Sequence, residues 1–485
     1  MSRRPHVVVI GGGASGVLAA AALLDTGAEG LETAPRPFVT MIEPNEDLGL
    51  GLAYGRADEH HLLNSPAGRM GALARDPGGF VRWSVQDGGP ALGADEFAPR
   101  RRYGRYLQDV ARRLRDEHVG SLATVRARAT LVRTQGTGVV VSLDTSWDLV
   151  ADHVVLALGN PPTAGTALDG VAARDRVPDP WAPGALDAVA PGDRVTLVGT
   201  GLTAVDVATS LVRRHPTVQV TMVSRNGLLP ETHPRTPAGT GDGIVPTGPG
   251  VAGILAGFSR SWHAARLDGT PWQRVVDGIR PQVNDLWASL DDAERRRFVA
   301  RYSRRWEVLR HRMSPPVADA LDALVDRGVV TVRAGRAADV PTDVVVDCTG
   351  PRPFASRGWS RLVDAMLDYG VVRPDALGIG LAVDDDGALL DDRGEASPRL
   401  WALGPARRGS QWESTAVPEI RSHASRIAAR VRLAAADRSL ETLRAERGRR
   451  PLATVVVPGV APSRAAVPAG VATSPEPVPQ VRGLD

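Results

Sequence analysis

Two short stretches carry the residue spacing with the most chemical content. "HVVVIGGGASGVLAA" (6–20) places Gly11, Gly13 and Gly16 between an apolar run and an alanine-rich one. "RVTLVGTGLTAVDVA" (194–208) repeats the pattern with Gly199, Gly201 and Ala204. At such a strand–turn–helix junction the first glycine permits a tight turn and the second admits a pyrophosphate to the backbone. The third small residue lets the helix pack closely on the strand. Free amides of the first helical turn, here from Ala14, Ser15 and Thr203, and the positive end of the helix dipole then face the phosphates.

The two copies differ in what they offer a ribose. The next strand after the first turn, in "RPFVTMIEPN", ends at Glu43, an acid suited to a free ribose hydroxyl. "DTGAEGLETAPRP" lengthens the connection leading to it. After the second turn, "VQVTMVSRN" (218–226) ends in Ser224 and Arg225, which suit a 2′-phosphate through charge-assisted hydrogen bonds. FAD is therefore expected at the first site and NADPH at the second. A degenerate second copy kept for packing is the competing reading.

The elements that position these turns follow from pattern. Residues 5–10 and "DHVVLALGN" (152–160) read as strands, Ala14–Leu24 as a helix, and roughly Gly104–Glu117 as another. The Pro-, Gly- and Ala-rich stretch 161–192 reads as a connection between domains. From about 251 to 328 the pattern is helical and holds Trp262, Trp272, Trp287 and Trp306. "TDVVVDCTG" (342–350) returns to strand, and 399–431 reads as strand, loop and long helix. Beyond about Arg450 little periodicity remains, as expected of a disordered tail. Strands alternating with helices make this an α/β chain with two parallel, Rossmann-like sheets.

Composition narrows the chemistry. The single cysteine, Cys348, excludes disulfide frameworks, thiolate metal clusters and a Cys-x-x-Cys redox pair. The chain has no lysine, which removes Schiff-base mechanisms and the Walker-type phosphate loop. Net charge is only +3, and arginine runs such as "PRRRYGRYL" and "DDAERRRFVARYSRRWE" alternate with acids or aromatics. They read as solvated helix faces, with no nucleic-acid partner. No apolar run is long enough to span a membrane, and the start resembles no signal peptide, so a cytoplasmic protein is expected.

"LALGN", "VDCTGP", "GLGLAYGRADEHHLLNSPAGRM", "VSRNGLLPETH", "WEVLRHRMSPP" and "LWALGPARRGSQWESTAVPEIR" carry a resemblance over roughly residues 5–430. The chain resembles the bacterial FAD/NAD(P)-binding family of two-dinucleotide-binding-domain flavoproteins. That family is similar in plan to lysine and ornithine N-hydroxylases and to flavin enzymes that oxidise aspartate to nitrosuccinate. The resemblance implies a discontinuous FAD domain in 1–165 and 351–448, and an NADPH domain in 190–350. A helical substrate-region insertion at 250–328 and a tail at 449–485 complete the plan. It also implies that Gly159 and Gly350 lie where the chain returns to a cofactor. Gly404 and Pro405 would then approach the flavin, with a helix from about Thr415 aimed at it. Asn64 and Arg69 would line the isoalloxazine region, a structural loop being nearly as good a reading of that stretch.

Departures matter as well. "GVAARDRVPDPWAPGALDAV" does not match the Baeyer–Villiger fingerprint expected between the two turns, and a disulfide reductase lacks its cysteine pair. The reading that remains is an FAD-dependent, NADPH-using monooxygenase. It would oxygenate the nitrogen of an amino acid or small amine with molecular oxygen, through a flavin hydroperoxide, in specialised metabolism. An NAD(P)H oxidoreductase passing electrons to another acceptor is the alternative, and a non-catalytic dinucleotide-binding protein a second. Arg310, His311 and Arg312 are the substrate-binding candidates, weighed against surface arginines at a domain interface. His60 and His61 show no partners at ligand spacing, so no metal is assigned. Asp206 reads as an internal hydrogen-bonding group. Sequence leaves the oligomeric state open.

Overall fold

Runs of β-branched residues closed by glycine build the centres of two parallel sheets. His6–Ile10 and Arg194–Val198 are buried almost throughout, as strands covered on both faces must be. A computed structural model describes residues 4–27, 34–237 and 239–449, with side chains to 436. The connection residues 28–33 and the tail from 450 onward lie outside the described residues. Two units divide the chain, 1–439 and 440–485; of the second, only helical residues up to Arg449 are described.

The first sheet has six strands, in the order Ala388–Leu390, Ala396–Ala402, His153–Leu156, His6–Ile10, Phe38–Ile42 and Leu122–Val125. All neighbours are parallel except the first pair. Segments more than two hundred residues apart in the chain therefore share one sheet. The second sheet is wholly parallel, in the order Val330–Ala334, Gln219–Ser224, Arg194–Val198, Val344–Asp347 and Asp175–Val177. A smaller antiparallel sheet, Ala129–Gln135, Gly138–Leu143 and Asp148–Ala151, is set into the first unit's connections.

In each sheet the strand before the glycine turn is central, and the chain reaches that strand's neighbours on either side through later connections. The glycine turns sit at these switch points, where α/β sheets open a crevice at their carboxyl ends. Gly11 has φ +107°, and a Cβ there would lie 2.4 Å from the Ala157 carbonyl oxygen. Gly199 has φ +122°, and its Cβ would lie 2.4 Å from that of Cys348. The helices that follow, Ala14–Leu24 and Leu202–Arg214, lie in the cores beneath.

Several expectations change. The connection 161–192 is more than a linker, because Asp175–Val177 forms an edge strand of the second sheet. Three residues suffice there, since an edge strand is paired on one side only. The helix expected from Gly104 begins at Arg100, after Pro99. Its arginines are not all solvated: Arg102 is buried in a bidentate pair with Asp87 at 2.7 and 2.8 Å. In the helical stretch, Pro315–Asp326 packs on the second sheet, whereas Ile244, Trp287, Leu290 and Trp412 belong to a separate core.

A test of the turn geometry compares two glycines with positive φ. Gly159 (φ +70°) has open space where a Cβ would stand, so Gly159→Ala carries only the left-handed penalty of about 1–2 kcal/mol. Gly11→Ala adds a backbone collision. We expect it to lower the thermal unfolding midpoint clearly more than Gly159→Ala does; equal shifts would contradict this packing.

Candidate active site

The first turn presents a carboxylate and a helix N-terminus side by side. Glu43 follows the strand Phe38–Ile42, and its Oε2 accepts from the Gly12 amide at 2.7 Å. Its Oε1 accepts from the Asn45 backbone and side-chain nitrogens at 3.0 and 2.7 Å. A carboxylate has about four acceptor positions, so one remains for a ribose hydroxyl. At Gly13 a Cβ would meet only the Gly51 backbone, at 3.4 Å, which leaves room beside the first-turn amides of Ala14, Ser15 and Gly16. Gly16 is required for another reason, since its Cβ would fall 1.9 Å from the Gly11 carbonyl oxygen. Gly404, at φ +76°, comes within reach of Ser15, and Pro405 follows it. These residues fit the pyrophosphate and ribose of a dinucleotide with an unmodified ribose.

The second turn opens into a cleft of about 430 Å³ lined by Gly199, Thr200, Gly201, Ser224, Arg225, Arg304, Arg336 and Thr349. Three arginines face one acid, Asp169, so the cleft suits an anion. Arg225 is exposed and makes no hydrogen bond or ion pair among the described residues, which leaves its fork free for a phosphate. The Ser224 hydroxyl is already engaged, with Thr200 Oγ1 at 2.9 Å and the Gly227 amide at 3.1 Å. It shapes the turn as well as offering a contact. Ala204 is buried and Thr203 half-buried in the first helical turn. Gly350 has φ +92° with open space beside it, as Gly159 does after the first sheet's strand His153–Leu156.

Sequence reasoning missed Arg304 and Arg336. Arg304 comes from the helix Ser303–Arg310, and its Nη2 donates to the Leu228 carbonyl at 2.7 Å and approaches Thr200. Nothing near it in the chain marks that destination. Arg336 follows the strand Val330–Ala334, which pairs with the strand ending at Ser224, so tracing strand ends would have found it.

The loop carrying Asn64 and Arg69 borders another cavity, of about 440 Å³, lined by Arg69, Asp95, Glu96, Phe97, His233 and Asp277 among others. The Asn64 carbonyl accepts from His233 Nε2 at 3.0 Å. Burial, reinforced by the Arg312 charge, pushes His233 down to about 4, so it is neutral across the physiological range. Arg69 is anchored by its backbone carbonyl to Arg421, and its side chain is exposed.

The cluster Arg310–His311–Arg312 is neither a surface feature nor a free anion clamp. Arg310 is buried in a bidentate pair with Glu413, at 3.0 and 2.9 Å. Arg312 pairs with Asp277 and lies over the Trp272 ring; among the described residues its Nε and Nη1 find no hydrogen-bond partner. His311 Nε2 is 3.1 Å from Glu307, which also binds Arg408. Burial holds His311 below its ordinary value. Arg280 adds a parallel pair with Glu419, at 2.5 and 2.7 Å, in the first turn of the helix from Val417. That helix begins two residues later than its expected start near Thr415. The acids satisfying Arg280 and Arg310 come from a segment more than a hundred residues away, and that of Arg312 from thirty-five residues earlier, which local sequence could not reveal.

His60 and His61 do have partners, contrary to the sequence reading. Ligand atoms of Asp58, His60 and His61 lie within 4.8 Å of one another. Asp206 likewise does more than satisfy its own helix: it forms an ion pair with Arg100 at 2.7 Å, across the two sheets' helices.

Comparisons with known proteins bear on the family and the fold. Residues 8–161 match the model of a family described as FAD-NAD(P)-binding. Residues 92–233 match that of L-lysine 6-monooxygenase/L-ornithine 5-monooxygenase. Among solved structures, L-lysine 6-monooxygenase from Pseudomonas syringae is 17% identical with a TM-score of 0.58, covering 88% of this chain and 99% of that one. The reduced form of ornithine hydroxylase from Pseudomonas aeruginosa is 13% identical with a TM-score of 0.57, covering 89% and 99%. The FAD-bound cadaverine monooxygenase from Erwinia amylovora is 13% identical with a TM-score of 0.55, covering 96% and 100%. No curated protein matches. The two matched ranges overlap at 92–161, and the chain shares the fold of those hydroxylases. Among the described residues, no helix is long and apolar enough to cross a membrane.

The buried pairs make a measurable demand. Glu413→Ala leaves Arg310 charged in the interior with no carboxylate nearer than Glu419 at 3.9 Å, and we expect a loss of about 3–5 kcal/mol. Urea unfolding of Glu413→Ala beside Arg280→Ala checks it. A cost below about 1 kcal/mol for Glu413→Ala would show that Arg310 reaches water.

Proposed function

We propose that this protein is an FAD-dependent, NADPH-using monooxygenase that oxygenates the amino nitrogen of an amino acid or small amine. One observation carries the reading: two switch-point turns of matching geometry, one beside the Glu43 carboxylate and the other beside the unpaired Arg225. The first suits a dinucleotide with a free ribose hydroxyl, the second one with a 2′-phosphate. The resemblance of residues 92–233 to lysine and ornithine monooxygenases supports oxygen as the electron acceptor.

In this reading Glu43 holds the FAD ribose and the Ala14–Gly16 amides its pyrophosphate, with Gly404 and Pro405 closing over them. Arg225, Arg304 and Arg336 hold the NADPH phosphates. Once bound, the cofactors supply hydride, oxygen activation and oxygen transfer, while the protein supplies position and exclusion of water. The cavity beside Asn64 and Arg69 is our choice for the substrate. It offers an exposed arginine for a carboxylate, and Asp95 and Glu96 for a cationic end. Neutral His233 brings no competing positive charge to its wall. The two segments of the first sheet, about 1–165 and 351–448, form the FAD domain in this proposal, and 190–350 the NADPH domain. A cytoplasmic location follows from the demand for NADPH.

The decisive assay follows NADPH oxidation by the purified FAD-loaded protein, with amino acids and diamines added singly. Hydroxylated product and hydrogen peroxide are both measured. We expect one substrate class to divert electrons from peroxide into an N-hydroxylated product. Unchanged NADPH oxidation with every amine, and all electrons in peroxide or an artificial acceptor, would replace this reading with a reductase. A second expectation concerns the coenzyme. Arg225→Ala should raise the KM for NADPH roughly tenfold or more, about 1.4 kcal/mol, and leave that for NADH within twofold. Equal losses with both coenzymes would remove the 2′-phosphate from this site.

A further inference from the structure

The loop Asp58–His61 and the second glycine helix, Leu202–Arg214, meet through one hydroxyl. Ser210 Oγ donates to Asp58 Oδ2 at 2.6 Å, and lies 2.9 Å from His61 Nε2 and 3.3 Å from His60 Nε2. A hydroxyl has one proton to give and two lone pairs to receive. With the proton committed to the carboxylate, both histidines must donate their Nε2–H. An independent bond agrees: His61 Nδ1 accepts the Asp58 amide at 3.1 Å, which leaves the imidazole proton on Nε2. Nε2 also lies 3.2 Å from the carbonyl of Asp206, one turn before Ser210.

The same helix face carries the Arg100–Asp206 pair, and Arg100 is itself tied to the loop through the Leu62 and His61 carbonyls. Trp181 packs edge-on against His61. The contacts therefore bind the helix behind the second turn to the 58–62 loop and the start of helix Arg100–Glu117 at two successive turns, Asp206 and Ser210. A metal ion is not needed to explain the convergence of Asp58, His60 and His61, because the hydroxyl is saturated by them.

We propose that Ser210 and Asp206 are positioning residues of a proton-sensitive latch. Asp58, His60 and His61 complete it, and it keeps the NADPH-binding helix in register with the flavin-binding unit. This rests on the reading that NADPH reduces bound FAD. The chemistry of release is specific. A second proton on His61 goes to Nδ1, which faces the Asp58 N–H, so two donors oppose each other and the loop loses its bond.

The surrounding charges set the direction. Burial is the largest influence on both histidines and holds them below the ordinary value near 6.5; His61 and then Arg213 act the same way on His60, and Arg100 on His61. Asp58 and Asp206 oppose this and are outweighed. Asp58 is pushed up by burial, yet the Ser210 hydrogen bond and neighbouring positive groups, Arg214 included, leave it below its usual value. Across the junction, Asp187 is paired with Arg214. The neutral histidines are thus favoured by folding. Their contribution is complete above about pH 6.5, and it is lost as pH falls through the lowered values.

The test uses the full chain loaded with FAD, with no NADPH present in its first arm. Hydrogen exchange of 56–62 in the wild type should be slow at pH 8 and should accelerate, after correction for intrinsic rates, at pH 5.5. In Ser210→Ala it should be roughly tenfold faster at pH 8 and nearly independent of pH. In the second arm, anaerobic bleaching of the flavin by NADPH should slow by roughly tenfold in Ser210→Ala, while bleaching by dithionite stays unchanged. Ser210→Thr, which keeps the hydroxyl, should restore both. Asp58→Asn, which keeps an acceptor but loses the charge, should fall between, and it carries the test if Ser210→Ala fails to fold. Identical exchange in wild type and variants, or no change with pH, overturns the latch. So does one equivalent of zinc bound by the wild type and lost in His60→Ala. If NADPH fails to bleach the wild-type flavin, the functional reading falls, and the exchange arm still decides the latch.

Discussion

The structure depends on a close approach that is made twice. At each switch point a strand-end carbonyl, that of Ala157 or Cys348, occupies the space where the first glycine of the turn would carry a side chain. The contact brings the neighbouring strand's loop against the turn, and so sets where a pyrophosphate can meet the following helix. Everything specific to each site hangs from that frame: Glu43 at one, and Arg225, Arg304 and Arg336 at the other. The frames are alike, and they differ in the charges around them.

A second constraint is the exclusive use of arginine. Three cations held in the interior are guanidinium groups matched by carboxylates, Arg102 with Asp87, Arg280 with Glu419 and Arg310 with Glu413, whereas Arg407 and Arg432 reach backbone carbonyls. The planar fork suits such two-point pairing, where a lysine would offer a single strongly hydrated charge. Each pair brings a desolvation penalty, so its value lies less in net stability than in the damage done when one partner is missing. Arg280 and Arg310 join the helical stretch to the C-terminal segment that also supplies Gly404. The helical stretch is thereby tied to the first sheet's far end and, through Arg304, to the second turn.

Much of this was legible in the residues. Strand–turn–helix patterning located both turns, since alternation of apolar runs, glycines and amphipathic helices is a local property. Glu43 and the pair Ser224–Arg225 were found by asking what stands at the next strand's end. The buried arginines were not legible. "PRRRYGRYL" has the composition of a solvated face, and Arg100 and Arg102 leave it only because Asp206 and Asp87 come to meet them. Asp175–Val177 was also hidden, because a three-residue edge strand in a proline- and glycine-rich stretch has too short a pattern to announce itself.

By itself the sequence determined an α/β chain with two parallel sheets, the positions of both glycine turns, and Glu43 and Ser224–Arg225 at the ends of the strands that follow them. Those features follow from periodicity and from residue type at fixed distance along the chain. Tertiary structure alone decided that Arg310 and Arg312 are neutralised internally, that Arg304 reaches the second cleft, and that Asp58, His60 and His61 converge on Ser210. Each of those outcomes joins residues about thirty-five to a hundred and fifty positions apart. Hydrogen bonds and ion pairs depend on distance in space, and at such separations a linear pattern carries no information about it.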